Sequence, residues 1–123
     1  MALYDLPEDP NLNVVSTVIT GGHGSGIHNP TFASYVAELT YIDATGKAKS
    51  LKKDKDRLFD SFLHSFGTLG IIFEMKMVIT EEYMIKKCIY THVPWDIMLK
   101  ESEFDSLNYD SDHLVFYTDW KER

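Results

Sequence analysis

Residues 34–51 read SYVAELTYIDATGKAKSL. Tyr35, Ala37, Leu39 and Tyr41 fall on one side of an extended chain, the period-2 spacing of a half-buried strand. "ATGKAKSL" (44–51) then supplies a turn at Gly46 and a short return strand, so the segment predicts a β-hairpin. Downstream, Leu58, Phe59, Phe62 and Phe66 recur at helical spacing, predicting a helix over about 55–66. Asp54 or Asp56 would cap it, and Gly67 and Gly70 would end it. "IIFEMKMVIT" (71–80) predicts a strand, with "YMIKKCIYTHV" (83–93) as a second strand paired to it. "PWDIMLKESEF" (94–104) predicts a short helix with Pro94 at its first position, and "HLVFYTDW" (113–120) a final strand. Upstream, the β-branched run "NVVSTVIT" (13–20) predicts a strand buried on both sides. Most connections are too short for parallel crossovers. The expected class is α+β, a mainly antiparallel sheet with a packed helix.

The chain has 123 residues, enough for one domain's core. Its 44% hydrophobic and 25% charged residues are ordinary for a globular protein and argue against disorder. A formal net charge of −7 disfavours a nucleic-acid partner, because phosphate backbones repel it. The single cysteine, Cys88, excludes an internal disulfide and reads as a small strand residue. The first residues lack the basic and apolar regions of a signal peptide. No apolar run approaches the roughly 20 residues of a membrane helix. The expectation is an intracellular protein with no membrane span.

"TVITGGHGSGIHNP" (17–30) concentrates four of the seven glycines in one predicted loop. Glycines let backbone N–H groups approach a phosphate or a flat ring closely. The spacing is not that of a Walker loop, which needs Gly-Lys-Ser/Thr, nor of G-x-G-x-x-G opening a helix. "HGSG" has a faint likeness to an esterase oxyanion loop, but no G-x-S-x-G elbow exists to supply the nucleophile. A tight turn without ligand is the plain alternative. His23, His28, His64, His92 and His113 form no metal-ligand pattern. Phe59, Phe62, Phe66 and Phe73 read as core, and Trp95 and Trp120 as packing residues.

Several stretches together resemble one family. "TGGHGSG" (20–26) is similar to the T-G-T-H-G-S-G motif of FAD-linked oxidases of the vanillyl-alcohol oxidase type, with a PCMH-type FAD-binding domain. "AELTYIDATGKAKSL" (37–51) resembles that family's hairpin, and "RLFDSFLHSFGTLGIIFEMKMVIT" (57–80) its helix, L-G-x-L-G-V-I turn and next strand. "VPWDIMLKE" and "VFYTDW" resemble the opening of the substrate domain in alditol oxidases and in gulonolactone and arabinonolactone oxidases. The motifs keep the family's order from about Leu12 to Trp120.

The resemblance implies FAD as cofactor, with Gly21, Gly22, His23, Gly24, Ser25 and Gly26 beside the flavin and its pyrophosphate. It implies a cofactor-lining position at Val18, on the strand before the loop. Gly70, Ile71 and Ile72 match the turn near the adenine. Gly22 replaces the family's threonine. Asn13 stands where alditol oxidases carry a serine near the substrate. By the same resemblance, residues 1–80 are the C-terminal part of the FAD-binding domain and 81–123 the start of a substrate domain. The family's first subdomain and its catalytic C-terminal half have no counterpart in these residues. The implied activity is oxidation of a CH–OH group of an alditol or aldono-1,4-lactone by hydride transfer to flavin N5, with O₂ or another acceptor. The 123 residues alone are expected to be inactive and to self-associate through exposed sheet edges. A small hydrolase using Ser25 is disfavoured by the missing elbow. The remaining alternative is a non-catalytic remnant acting as an interaction module.

Overall fold

The computed structural model describes residues 1–119. The described residues form two compact units: Met1–Gly24 with Pro30–Tyr83, and Ser25–Asn29 with residues 84–119.

The first unit is built on a three-stranded antiparallel sheet, so the α+β expectation holds. Its strands are β1 (Val36–Ile42), β2 (Ala48–Lys52) and β3 (Ile71–Met77), in the order β2-β1-β3. The hairpin forms, pairing Leu39 with Leu51 and Ile42 with Ala48, but it starts at Val36: Tyr35 ends a short 3-10 turn (Phe32–Tyr35), and Val36, not Tyr35 or Ala37, is buried beside Leu39 and Tyr41. On the other side, Leu39 faces Met75 and Tyr41 faces Ile72, with irregularities between Val36 and Glu38 and between Thr40 and Tyr41. One face is polar. Glu38 bonds Lys76 at 3.0 Å and approaches Lys52 at 3.6 Å, while the Thr40 and Ser50 hydroxyls meet at 3.1 Å. The other face, with Leu39, Tyr41 and Leu51, is buried.

Helix α2 (Phe59–Leu63) closes that buried face. Phe59, Phe62 and Leu63 are buried, and the Phe62 ring lies 4.2 Å from that of Tyr41, tilted by 46°. The helix is shorter than the expected 55–66. Neither Asp54 nor Asp56 caps it: Leu58 precedes it, and Asp56 instead accepts from the Lys52 amide at 2.8 Å. Phe66 turns into the left-handed region at φ 51° and points outward, 72% exposed, and Leu58 is also exposed. Phe66 is therefore not core, and neither is Phe73, exposed on β3.

The largest correction is at 13–20. Val14–Ile19 form a helix, α1, and not a strand. Asn13 caps it, its side-chain oxygen accepting from the Val15 and Ser16 amides at 2.9 and 3.3 Å. Thr17 and Thr20 donate their hydroxyls back to the carbonyls of Asn13 and Ser16, at 3.0 and 2.7 Å. The cap satisfies two amides at the helix start, so a β-branched run closes a helical turn despite its poor propensity. Thr17 and Val18 are buried, while Val14 and Ser16 face solvent, so only one side is covered.

Residues 83–93 also depart from expectation. They form no strand, β3 pairs with β1 instead, and Cys88 is exposed. The Tyr83 hydroxyl lies within bonding reach of the carbonyls of Leu3 (3.0 Å) and Tyr4 (2.5 Å). Ala2 and Thr80 exchange backbone bonds at 2.9 and 2.8 Å, fastening the first residues to the segment after β3.

In the second unit, α3 (Trp95–Met98) and α4 (Glu101–Tyr109) replace the single helix expected at 94–104. Pro94 is the residue before α3 and not its first. Trp95 is exposed, and residues 113–119 form no strand. Trp120 lies outside the described residues. Phe104 and Phe116 stack at 6.0 Å, but the buried hydrophobic residues among those described all belong to the first unit.

The face contact predicts a large asymmetry between two phenylalanines. Phe62→Ala should cost about 3–5 kcal/mol, as deleting a buried ring does, whereas Phe66→Ala should change stability by less than about 0.5 kcal/mol. Urea unfolding followed by circular dichroism reads both.

The hairpin turn predicts a pH dependence. Asp43 accepts from the Thr45 amide (2.8 Å) and hydroxyl (2.6 Å) and the Lys47 amide (3.1 Å), and pairs with Lys49 at 2.7 Å. The Lys49 ammonium, then the Thr45 hydroxyl and the Lys47 amide, hold its carboxyl well below the usual range. A depressed carboxylate stabilises the fold fully above the unfolded value of about 4 and loses that contribution as pH falls through the folded value. The stability difference between wild type and Asp43→Asn should therefore be constant at neutral pH and shrink below about pH 4. Urea midpoints across pH measure it, and a difference that grows on acidification would contradict the turn chemistry.

Candidate functional site

The glycine loop begins where α1 ends. Gly21 adopts φ 73°, and its amide bonds the Val18 carbonyl at 3.3 Å. Gly22 turns its amide onto the Thr17 carbonyl at 2.7 Å and accepts from the Phe32 amide at 3.2 Å. Its backbone runs so close to α1 that a Cβ there would stand 2.5 Å from Thr17 Cγ2 and 3.0 Å from Thr17 O. The Gly24 amide bonds Asp5 Oδ2 at 3.2 Å. A Cβ on Gly24 would fall 2.0 Å from Asp5 Oδ1. His23 is exposed, with Nδ1 at 2.7 Å from the Gly24 carbonyl.

Ser25 and Gly26 belong to the second unit. The Ser25 carbonyl accepts from the Asn29 amide side chain at 2.7 Å and lies 3.1 Å from His113 Nδ1. Asn29 also bonds the Asp112 carbonyl at 2.8 Å, and a Cβ on Gly26 would collide with that same carbonyl.

The other expected site residues lie elsewhere. Val18 is fully buried in the core, on a helix and not on a strand. Asn13 is the α1 cap, its side-chain oxygen taken by two amides. Gly70 opens β3 at φ 151°, where a Cβ would stand 2.7 Å from the Ile42 carbonyl and 2.8 Å from the Tyr41 ring. Ile71 is exposed, and Ile72 packs partly against the core. Sequence reasoning missed Asp5 altogether. Asp5 is a carboxylate only 1% exposed, in an N-terminal stretch without periodicity. Its one legible signal was an acidic residue between apolar neighbours, Leu3, Tyr4 and Leu6.

A pyrophosphate cradle needs amides pointing at an anion. In this conformation the amides of Gly21, Gly22 and Gly24 are committed within the chain, the last to a carboxylate. The loop as it stands does not fit a pyrophosphate at these three amides. Among the described residues, no group of three or more His, Cys, Asp and Glu side chains gathers to hold a metal ion. No helix among them is long and apolar enough to cross a membrane.

Gly22 carries a direct test of this packing. Gly22→Thr, which restores the residue of the resembled motif, should destabilise the chain by about 1–3 kcal/mol through overpacking against α1. Thr17→Ala should be less harmful in the Gly22→Thr background than in wild type, because it removes the Cγ2 in the way. A double-mutant cycle in urea reads the coupling, and additive effects would show that the two residues do not compete for space.

No family model matches the chain. It is 25% identical over 122 residues, 99% of its length, to alditol oxidase of a Streptomyces species, and spans 28% of that protein. It is 36% identical over 76 residues, 61% of its length, to a protein of Neurospora crassa named "Putative D-arabinono-1,4-lactone oxidase", and spans 14% of it. The chain thus covers well under a third of either relative. Both alignments agree with the resemblance carried by the motifs: the chain is similar to one segment of an alditol oxidase and to one segment of the Neurospora protein.

Proposed function

We propose that these residues serve as a flavin-contacting segment of an FAD-dependent oxidoreductase acting on CH–OH groups of alditols or aldono-1,4-lactones. Residues 1–80 would be the C-terminal part of the FAD-binding domain and 81–123 the start of the substrate domain. The observation that carries the reading is near-full-length similarity to an alditol oxidase, combined with "TGGHGSG" and the hairpin in the family's order. FAD would supply the oxidising equivalent. Gly21 to Gly26 would approach it on one side and Gly70, Ile71 and Ile72 near its adenine. Asn13, the α1 cap, would lie toward the substrate.

A second reading, an interaction module, is favoured by the sheet edges. The β2 edge carries Lys49 and Lys52, which discourage pairing with another strand. The β3 edge exposes Ile71 at 70% and Phe73 at 55%. Self-association would use β3.

The isolated chain tests the fragment reading, and the chimera and the oligomeric state separate the two functions. The purified 123-residue chain with excess FAD should turn over none of xylitol, sorbitol, gulonolactone or arabinonolactone, by peroxide release or dye reduction. Replacing the aligned 122 residues of the Streptomyces alditol oxidase with this chain should give a protein that retains flavin absorbance. Gly24→Val in that chimera should lose most of it, because a β-branched side chain has no room there. A folded chimera without flavin, or one indifferent to Gly24→Val, would overturn the flavin reading. Concentration-dependent oligomers that vanish with Phe73→Lys would support the second.

A further inference from the structure

Residues 2–5 are laid against the rest of the first unit at three points. Ala2 pairs with Thr80, the Leu3 and Tyr4 carbonyls lie within reach of the Tyr83 hydroxyl, and Asp5 reaches the glycine loop. The last contact is the unusual one. A carboxylate with 1% exposure is costly to bury and persists only where it gains compensation. Here it meets the Gly24 amide, in space open only because position 24 has no side chain. Within residues 2–5 the Tyr4 ring packs on that of Tyr83 at 5.9 Å, and the Tyr35 hydroxyl has no hydrogen-bond partner among the described residues. Burial first, then the Asp5 charge, push that hydroxyl above its ordinary range.

We propose that Asp5 is an internal competitor for the glycine loop: its carboxylate holds the Gly24 amide, and a pyrophosphate-bearing ligand gains that amide only when residues 2–5 release it. One N–H has a single hydrogen to give, and a phosphate brought beside a buried carboxylate meets like charge. The clasp stands on the Asp5–Gly24 geometry. Only the identity of the anion rests on the flavin reading above.

The test uses the full chain labelled with ¹⁵N-glycine, whose seven amide signals include Gly24. Inorganic pyrophosphate is titrated at ionic strength matched with sodium chloride. Asp5→Asn keeps a side-chain oxygen for the amide and removes the charge. Tyr83→Phe loosens residues 3 and 4 without touching the loop. The Gly24 signal should move in Asp5→Asn at about tenfold lower pyrophosphate than in wild type, or lower still, with Tyr83→Phe in between. Equal concentrations in wild type and Asp5→Asn would overturn the clasp, as would a Gly24 signal that never moves in either variant. Should Asp5→Asn lose its spectral dispersion, Tyr83→Phe decides, and a response equal to wild type overturns the proposal. FAD in place of pyrophosphate separates the two readings. If pyrophosphate moves Gly24 in the variants while FAD leaves all glycine signals in place, the clasp holds and the flavin reading fails. If FAD moves Gly24 as readily in wild type as in Asp5→Asn, the flavin reading survives and the clasp falls.

Discussion

The tilted contact between Tyr41 and Phe62 is the constraint on which the first unit depends. It fixes which face of the hairpin is covered. Once Tyr41 faces inward, the period of a strand carries Leu39 to the same side and Glu38 and Thr40 to the other. The bulge beside Glu38 reverses the alternation once, so that Val36 joins Leu39 and Tyr41 in the core. The polar face can then carry the Glu38 pairs with Lys52 and Lys76. The Lys76 ammonium foremost, and then Lys52, lower the Glu38 carboxyl despite partial burial. These surface pairs set register more than stability, since exposed ion pairs each contribute little.

The hairpin and the centre of α2 were legible because Leu39 with Tyr41, and Phe59 with Phe62, advertised a period that tertiary packing kept, while Tyr35, Leu58 and Phe66 lie outside it. Residues 13–20 show the opposite case. Val, Thr and Ile favour strands by side-chain stiffness, but that preference amounts to a few tenths of a kcal/mol per residue. The Asn13 cap, its side-chain oxygen on two amides, and the burial of Thr17 and Val18 outweigh it. Segment 83–93 failed for another reason. Its apolar residues suit a strand, but among the described residues they pair with none, and the outer edge of β3 stays unpaired. The α3–α4 break is a boundary error of the ordinary kind.

Glycine carries two messages that a sequence does not separate. It permits positive φ, as at Gly21, and it permits close approach. The loop was legible as a place of close approach, but not for what approaches. At Gly22 the approaching group is Thr17, at Gly24 it is Asp5, and at Gly26 it is the Asp112 carbonyl. Each is supplied by the chain itself. A motif that resembles a cofactor cradle is thus, in this conformation, a set of internal packing sites.

The two descriptions of the loop are compatible because of the chemistry of an amide. An N–H that can receive a phosphate can equally receive a carboxylate, and the donor does not discriminate between them beyond charge and shape. A loop built for an anion therefore carries an unsatisfied donor whenever the anion is away, and a buried unsatisfied donor is costly. Asp5 removes that cost at Gly24, at the expense of burying a carboxylate. It also places at the loop one of the negative charges of a chain whose net charge is −7. The same residue that lets the loop keep its shape thus raises the threshold for any phosphate that would use it, and the balance between these effects lies in how firmly Ala2 and Tyr83 hold the segment in place.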